Sequence, residues 1–243
     1  MYSTEIDGQV LQFGTSGWLY RSNKLMYDKG TNTLWRQFRG DPVVGELVGS
    51  GITLEVLPVA LTTWSSWVEA HPGTSVLDVR TGVYPLQAYL PEADAESAYA
   101  DYRKSEDTLF PVPQRSTLLP TKSRVFGLVF NGRARAYPQE ILEREPVIND
   151  SLGGSDLVII TPDGGNGSRA FQRAGRTFVG VEPGQGSEVF LLDDEGRRWR
   201  LGEDALVQTD DPSMRLPRLP SRSSFWFGWY AFYPGTEVYS PGP

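Results

Sequence analysis

The chain has 243 residues, 23 basic against 30 acidic side chains and a net charge of -7, enough length for one or two domains that bury a core without disulfides or metal. Cysteine is absent, which excludes disulfides, iron–sulfur clusters, thiolate zinc sites and cysteine nucleophiles and leaves the redox compartment unreadable. An acidic balance without a Lys/Arg-rich stripe argues against a nucleic-acid partner, and apolar runs such as Leu157 to Ile160 fall far short of the ~20 residues that cross a bilayer.

Met1-Tyr2-Ser3-Thr4-Glu5 carries neither the basic nor the apolar region of a signal peptide, so a soluble chain without membrane insertion is expected. In chain order, residues 8–14 read as a first strand. Thr62 or Thr63 caps a short helix in which Trp64, Trp67, Val68 and His71 fall on one face and Pro72-Gly73 ends it. Leu77 to Arg124 is punctuated by proline around an acidic, Ala-rich middle and reads as a connection with one short helical turn. Val125 to Tyr137 is a hairpin, because Asn131-Gly132 supplies the two positive φ angles of a type I′ turn. Strands follow at 156–162, 168–173, 176–182, 188–193 and 197–201. A second helix over Ser224 to Tyr233 carries Trp226, Trp229, Tyr230 and Tyr233 on one face.

An internal repeat organises these elements. Pro58, Trp64, Gly73 and Val76 reappear as Pro220, Trp226, Gly235 and Val238, each 162 positions later (226 − 64, 235 − 73). Upstream, Leu25-Met26-Tyr27-Asp28 matches Phe190-Leu191-Leu192-Asp193, and Trp35 matches Trp199. The expected fold is mainly β with minor α: two related units with antiparallel sheets, packed through short Trp-bearing helices. The first unit covers residues 1–77, a connecting segment 78–124, and the second, complete unit 125–243. The stretch matching Val125 to Arg173 is missing in front of the first unit. Unpaired strand edges around Val10 to Gly14, and a homodimer formed through them, are therefore expected.

Several collinear motifs together resemble domain-of-unknown-function family 3179 of bacteria and archaea. They are Leu25-Met26-Tyr27-Asp28 through Leu34-Trp35, the Thr62 to Pro72 helix, Leu109-Phe110-Pro111-Val112, Asn131 through Pro138, and Ile148-Asn149-Asp150 with Gly153-Gly154. The resemblance spans nearly the whole chain and implies no established reaction. It also implies a preceding hairpin and a Cys-Pro-Leu-Cys-like strand end. The corresponding positions of the second unit read Thr161-Pro162-Asp163-Gly164, without a thiol.

Candidate chemistry is sparse. The single histidine, His71, is a possible acid–base group, although Tyr233 at the matching place points to a packing position. No Gly-x-Ser-x-Gly elbow accompanies it. Thr161 to Ser168 offers oxygen donors on a flexible bend, with Asp163 and Asn166 as candidate calcium ligands, though ordinary turns share this composition. Asp150 is the candidate base, Arg133 and Arg135 could clamp a carboxylate, and Trp226 and Trp229 are either core or a stacking platform for a ligand. Two readings follow: a hydrolase of a small ester, lactone or glycoside assisted by a carboxylate and calcium, or a non-catalytic module that binds a small molecule or glycan, or serves as a structural or interaction protein.

Overall fold

The computed structural model describes residues 1–242. The N-terminal part holds a two-stranded ribbon, β1 (Glu5–Ile6) and β2 (Gln9–Val10), and a four-stranded antiparallel sheet of β3 (Phe13–Tyr20), β4 (Asn23–Asp28), β5 (Leu34–Arg36) and β6 (Pro42–Val44). Helix α1 (Trp64–Ala70) follows, capped by Thr63, whose hydroxyl accepts from the Ser66 amide. The connection carries a 3-10 turn over Leu86–Tyr89 and the short α2 (Ala100–Lys104), one helical piece more than its composition suggests.

The C-terminal part begins with the hairpin β7 (Arg124–Phe130) and β8 (Arg133–Pro138), turned through Asn131 and Gly132 at φ 46° and 74°. After α3 (Gln139–Leu142) come β9 (Val147–Leu152), β10 (Ser155–Ile160), β11 (Arg169–Gln172), β12 (Phe178–Pro183), β13 (Val189–Asp193), β14 (Arg198–Leu201), β15 (Ala205–Gln208), β16 (Arg215–Leu219) and β17 (Ser221–Phe225). The chain closes with α4 (Trp226–Phe232) and β18 (Glu237–Val238). Strands β9 to β16 form one eight-stranded antiparallel sheet, in the order β12-β13-β14-β15-β16-β11-β10-β9. A four-stranded sheet runs β17-β7-β8-β18, with β18 parallel to β8. The protein is thus mainly β with minor α, and no described helix is long and apolar enough to cross a membrane.

Strand β10 explains the core. Its alternating side chains enter two clusters: Leu157 and Ile159 meet Phe126, Leu128, Tyr137 and Leu142, while Val158 and Ile160 meet Leu191, Trp199 and Leu216. A strand buried on both faces must be apolar throughout, which is why Leu157 to Ile160 runs without a polar residue. Helix α4 seals the hairpin: Trp226 and Trp229 are 1% and 0% exposed and pack on Val125 and Ala136. Its Phe232 stacks on Phe38 of the N-terminal part at 4.7 Å.

The two Trp-bearing helices share local geometry. Each is seven residues long, and their ends lie 162 positions apart (226 − 64, 232 − 70). In each, the first tryptophan of the helix is followed by a second whose indole donates to a threonine hydroxyl, Trp67 to Thr74 at 3.0 Å and Trp229 to Thr236 at 2.9 Å. Asp28 and Asp193 likewise accept from the Trp35 and Trp199 indoles at 2.9 and 3.0 Å. Two differences correct the expectation of two related units packed through both helices. Residues 59–63 join no ladder, whereas β17 pairs with β7 along its whole length. Trp64 and Trp67 are 55% and 43% exposed, so only α4 is a packing helix. The cause is the hairpin, which stands over α4 alone.

The edge expected to be open over Val10 to Gly14 is part covered. Val10 pairs with Glu5 within the ribbon and Leu11 donates to the Thr4 carbonyl, while β3 pairs on one side with β4. A register shift between Thr15 and Leu19 breaks β3, an irregularity of the kind that discourages edge-to-edge pairing.

Candidate functional site

Each residue nominated from the sequence has a definite place, and several are already engaged. Arg135 on β8 donates from one guanidinium nitrogen to both Asp150 oxygens at 2.6 Å and also pairs with Glu237 on β18. Asp150 accepts further from the Tyr137 hydroxyl and the Ser151 amide, both at 2.7 Å. Burial and the adjacent Asp150 carboxylate push the Tyr137 phenol well above its ordinary value. Burial alone would lower the Arg135 pKa, but the hydrogen bonds to Asp150 and Glu237 outweigh it and raise it. Arg133 pairs with Glu237 as well. The cluster is a closed ion network across β8, β9 and β18, so Asp150 is not a free base and the two arginines are not a free clamp.

Asp163 lies elsewhere, against α1. Its Oδ2 accepts from the Ser66 hydroxyl at 2.8 Å and the Thr63 hydroxyl at 3.3 Å. Asn166 meets it through the main chain, its amide donating to the Asp163 carbonyl at 2.7 Å. The loop therefore ties the C-terminal part to the cap of α1. Among the described residues no group of three or more His, Asp or Glu side chains is placed to hold a metal ion. His71 is the C-cap of α1, exposed, with its ring 4.2 Å from that of Trp67. Asp150, His71 and Asp163 share no hydrogen-bond partner, and the buried Trp226 and Trp229 cannot act as a stacking platform.

Two cavities were not read from the sequence. A cavity of about 720 Å³ opens between the N-terminal sheet, the 54–61 segment and β17, walled by Phe13, Met26, Phe38, Leu54, Val59 and Leu61. Polar residues enter this wall at Asn23, Ser221, Arg222 and Ser224. Asn23 Oδ1, Ser221 Oγ and Ser224 Oγ are buried and have no hydrogen-bond partner among the described residues. Arg222 donates to the Tyr2 hydroxyl at 2.8 Å, and that hydroxyl donates to the Gln37 carbonyl at 2.8 Å. Burial raises the Tyr2 pKa, with Arg222 opposing it in part. A smaller cavity of about 230 Å³ adjoins at Leu61, Ser223, Ser224 and Phe225.

Why serines line an apolar wall follows from their strand. Ser221 to Phe225 belong to an edge strand whose inner neighbour is β7, so its other edge faces the cavity. The one sequence signal was Ser221-Arg222-Ser223-Ser224, four polar residues directly before an aromatic helix. No period-2 alternation marks them, so the sequence carries no strand signal ahead of α4.

No curated protein and no solved structure matches this chain. The family described as "Protein of unknown function (DUF3179)" matches residues 1–236, and the chain belongs to that family.

Proposed function

We propose that this protein is a non-catalytic binding module that takes a small, mainly apolar molecule with a polar end into the cavity beside β17. The observation that carries the reading is the unpaired edge of β17, where the Ser223 N–H and C=O turn away from β7 beside an apolar wall of Phe13, Met26, Phe38 and Leu54. Leaving such a main-chain group without a partner costs about 1–3 kcal/mol, and a ligand hydroxyl or amide would recover it. The volume falls in the ~300–1,000 Å³ range of small-molecule sites, and a few polar groups in an apolar lining set orientation in such sites. Hydrolysis has no comparable support, because Asp150 is engaged by Arg135 and Tyr137 while Asp163 is engaged by α1.

The test is competition binding against an environment-sensitive apolar dye. A medium-chain alcohol should displace the dye with at least about tenfold higher affinity than the alkane of the same length, one hydrogen-bonded polar contact being worth roughly 1.4 kcal/mol. Ser223→Pro, which removes the N–H at that edge without breaking a bond to β7, should lose that preference while still binding the dye. Absence of saturable dye binding would overturn the reading. So would ester hydrolysis by the purified protein that disappears in Asp150→Asn.

A further inference from the structure

Helix α4 shows in this molecule how a segment of this kind is covered, and α1 presents the same parts uncovered. Along β17, five residues pair with β7, from Ser221 opposite Leu128 to Phe225 opposite Arg124. The Trp226 amide donates to the Ser123 carbonyl at 2.8 Å. That bond sets the phase of the ladder: Arg222 and Ser224 turn their N–H and C=O toward β7, and Ser223 turns away. On the far strand of the same hairpin, β18 pairs with Arg135 and Ala136. Trp229 lies flat over Gly127, where any Cβ would collide with its ring. Gly127 sits opposite Ala136, itself fully buried.

The counterparts 162 positions earlier are unpaired at each of these points. Residues 59–63, 75 and 76 belong to no ladder. Leu61, the counterpart of Ser223, accepts through its carbonyl from the Gly167 amide at 2.8 Å. The edge facing away from a hairpin is thus already taken, and the edge of Ala60 and Thr62 is the open one. Trp67, the counterpart of Trp229, is 43% exposed, and Val76, the counterpart of Val238, is 66% exposed. The unpaired segment 59–63, an indole held by Thr74 and the unpaired residues 75 and 76 thus stand where the second unit carries its hairpin-covered counterparts.

We propose that residues 59–77 are a docking site for a β-hairpin supplied by a partner polypeptide, with a glycine on the strand that adds to Ala60 and Thr62 and an alanine-sized residue opposite it. Strand addition would give affinity through main-chain bonds, and the glycine would be selected because Trp67 leaves no room for a side chain. A second copy of this chain does not supply the hairpin, because its own β7 and β8 are enclosed between β17, α4 and β18. Val59 and Leu61 of this segment also line the cavity, so ligand binding there is followed in the same samples.

The probe is a backbone-cyclised peptide of residues 124–138, since an open hairpin is marginal in water. Added to the intact protein, it should bind saturably and slow amide exchange at residues 60–64 and 75–76. Affinity should fall about tenfold or more with Trp67→Ala in the protein, and likewise with Gly127→Leu in the peptide. Circular dichroism should show that the Trp67→Ala protein stays folded. Four results would overturn the proposal: no saturation by about 1 mM peptide, affinity indifferent to Trp67→Ala, protection appearing at 221–238 instead, or the same protection arising in the protein alone with concentration-dependent dimerisation. Dye binding measured in the same samples reports separately on the cavity.

Discussion

Arg135 and Asp150 are joined through one guanidinium nitrogen that lies 2.6 Å from both carboxylate oxygens, fifteen positions apart in sequence and on strands of different sheets. The pair fastens the hairpin sheet to the eight-stranded sheet, and Tyr137 completes the carboxylate's coordination by hydrogen bonds. Removing the charge should therefore be felt as lost stability. Asp150→Asn is expected to cost about 2–3 kcal/mol, less than the ~3–5 of a fully buried pair because Arg135 keeps Glu237. Urea denaturation checks this, and a variant as stable as the parent would contradict it.

The two tryptophan helices should respond oppositely to truncation. Trp229→Ala removes a ring with no exposed surface and should cost about 3–5 kcal/mol. Trp67→Ala, at the matching place in α1, should stay within about 0.5 kcal/mol, as exposed positions usually do. Thermal unfolding of both variants decides it. Equal costs would mean that α1 is covered in solution.

Gly127 tests the same contact from the other side. Gly127→Ala places a Cβ against the Trp229 ring, and overpacking of this kind typically costs about 1–3 kcal/mol. The double variant with Trp229→Leu should recover part of the loss. Failure to recover any would place the strain elsewhere.

Acid should unfold the protein in part through Asp28 and Asp193. Burial tends to raise both pKa values, but hydrogen bonds from Trp35 and Thr31 to Asp28, and from Arg197 and Trp199 to Asp193, hold them below the usual carboxylate range. Their folded values lie below the unfolded value of about 3.9, so their contribution is complete above that pH and is lost as pH falls toward the folded values. Asp193→Asn should flatten the fall in stability below about pH 4. An unchanged acid limb in denaturant titrations would remove Asp193 from the account.

The Asp163 loop is expected to act as a tether. Ser66→Ala removes the 2.8 Å bond to Asp163 and should cost about 1 kcal/mol. The melting temperature should be indifferent to calcium and to EDTA. A calcium-dependent shift that vanishes in Asp163→Asn would restore a metal site there.

Much of the local structure was legible in the residues alone, because turns, caps and periods depend on a few neighbours. Asn131-Gly132 specifies its turn through two positive φ angles, Thr63 caps α1 through its own hydroxyl, and the spacing of 162 predicted two helices that have the same length and the same indole–threonine bond. Burial and pairing were not legible, because they depend on which strand arrives from a distance. Trp67 and Trp229 share the Trp-x-x-Trp spacing and the Pro-Gly-Thr that follows, yet one is exposed and the other enclosed beneath a hairpin about a hundred residues before Trp229, and the residues between differ accordingly, polar in α1 and aromatic in α4. Asp150 has the composition of a base in sequence, but Arg135 and Tyr137 reach it only once β8 lies beside β9. The cavity exists only where the N-terminal sheet meets the free edge of β17, a meeting of segments some two hundred positions apart that no local pattern records.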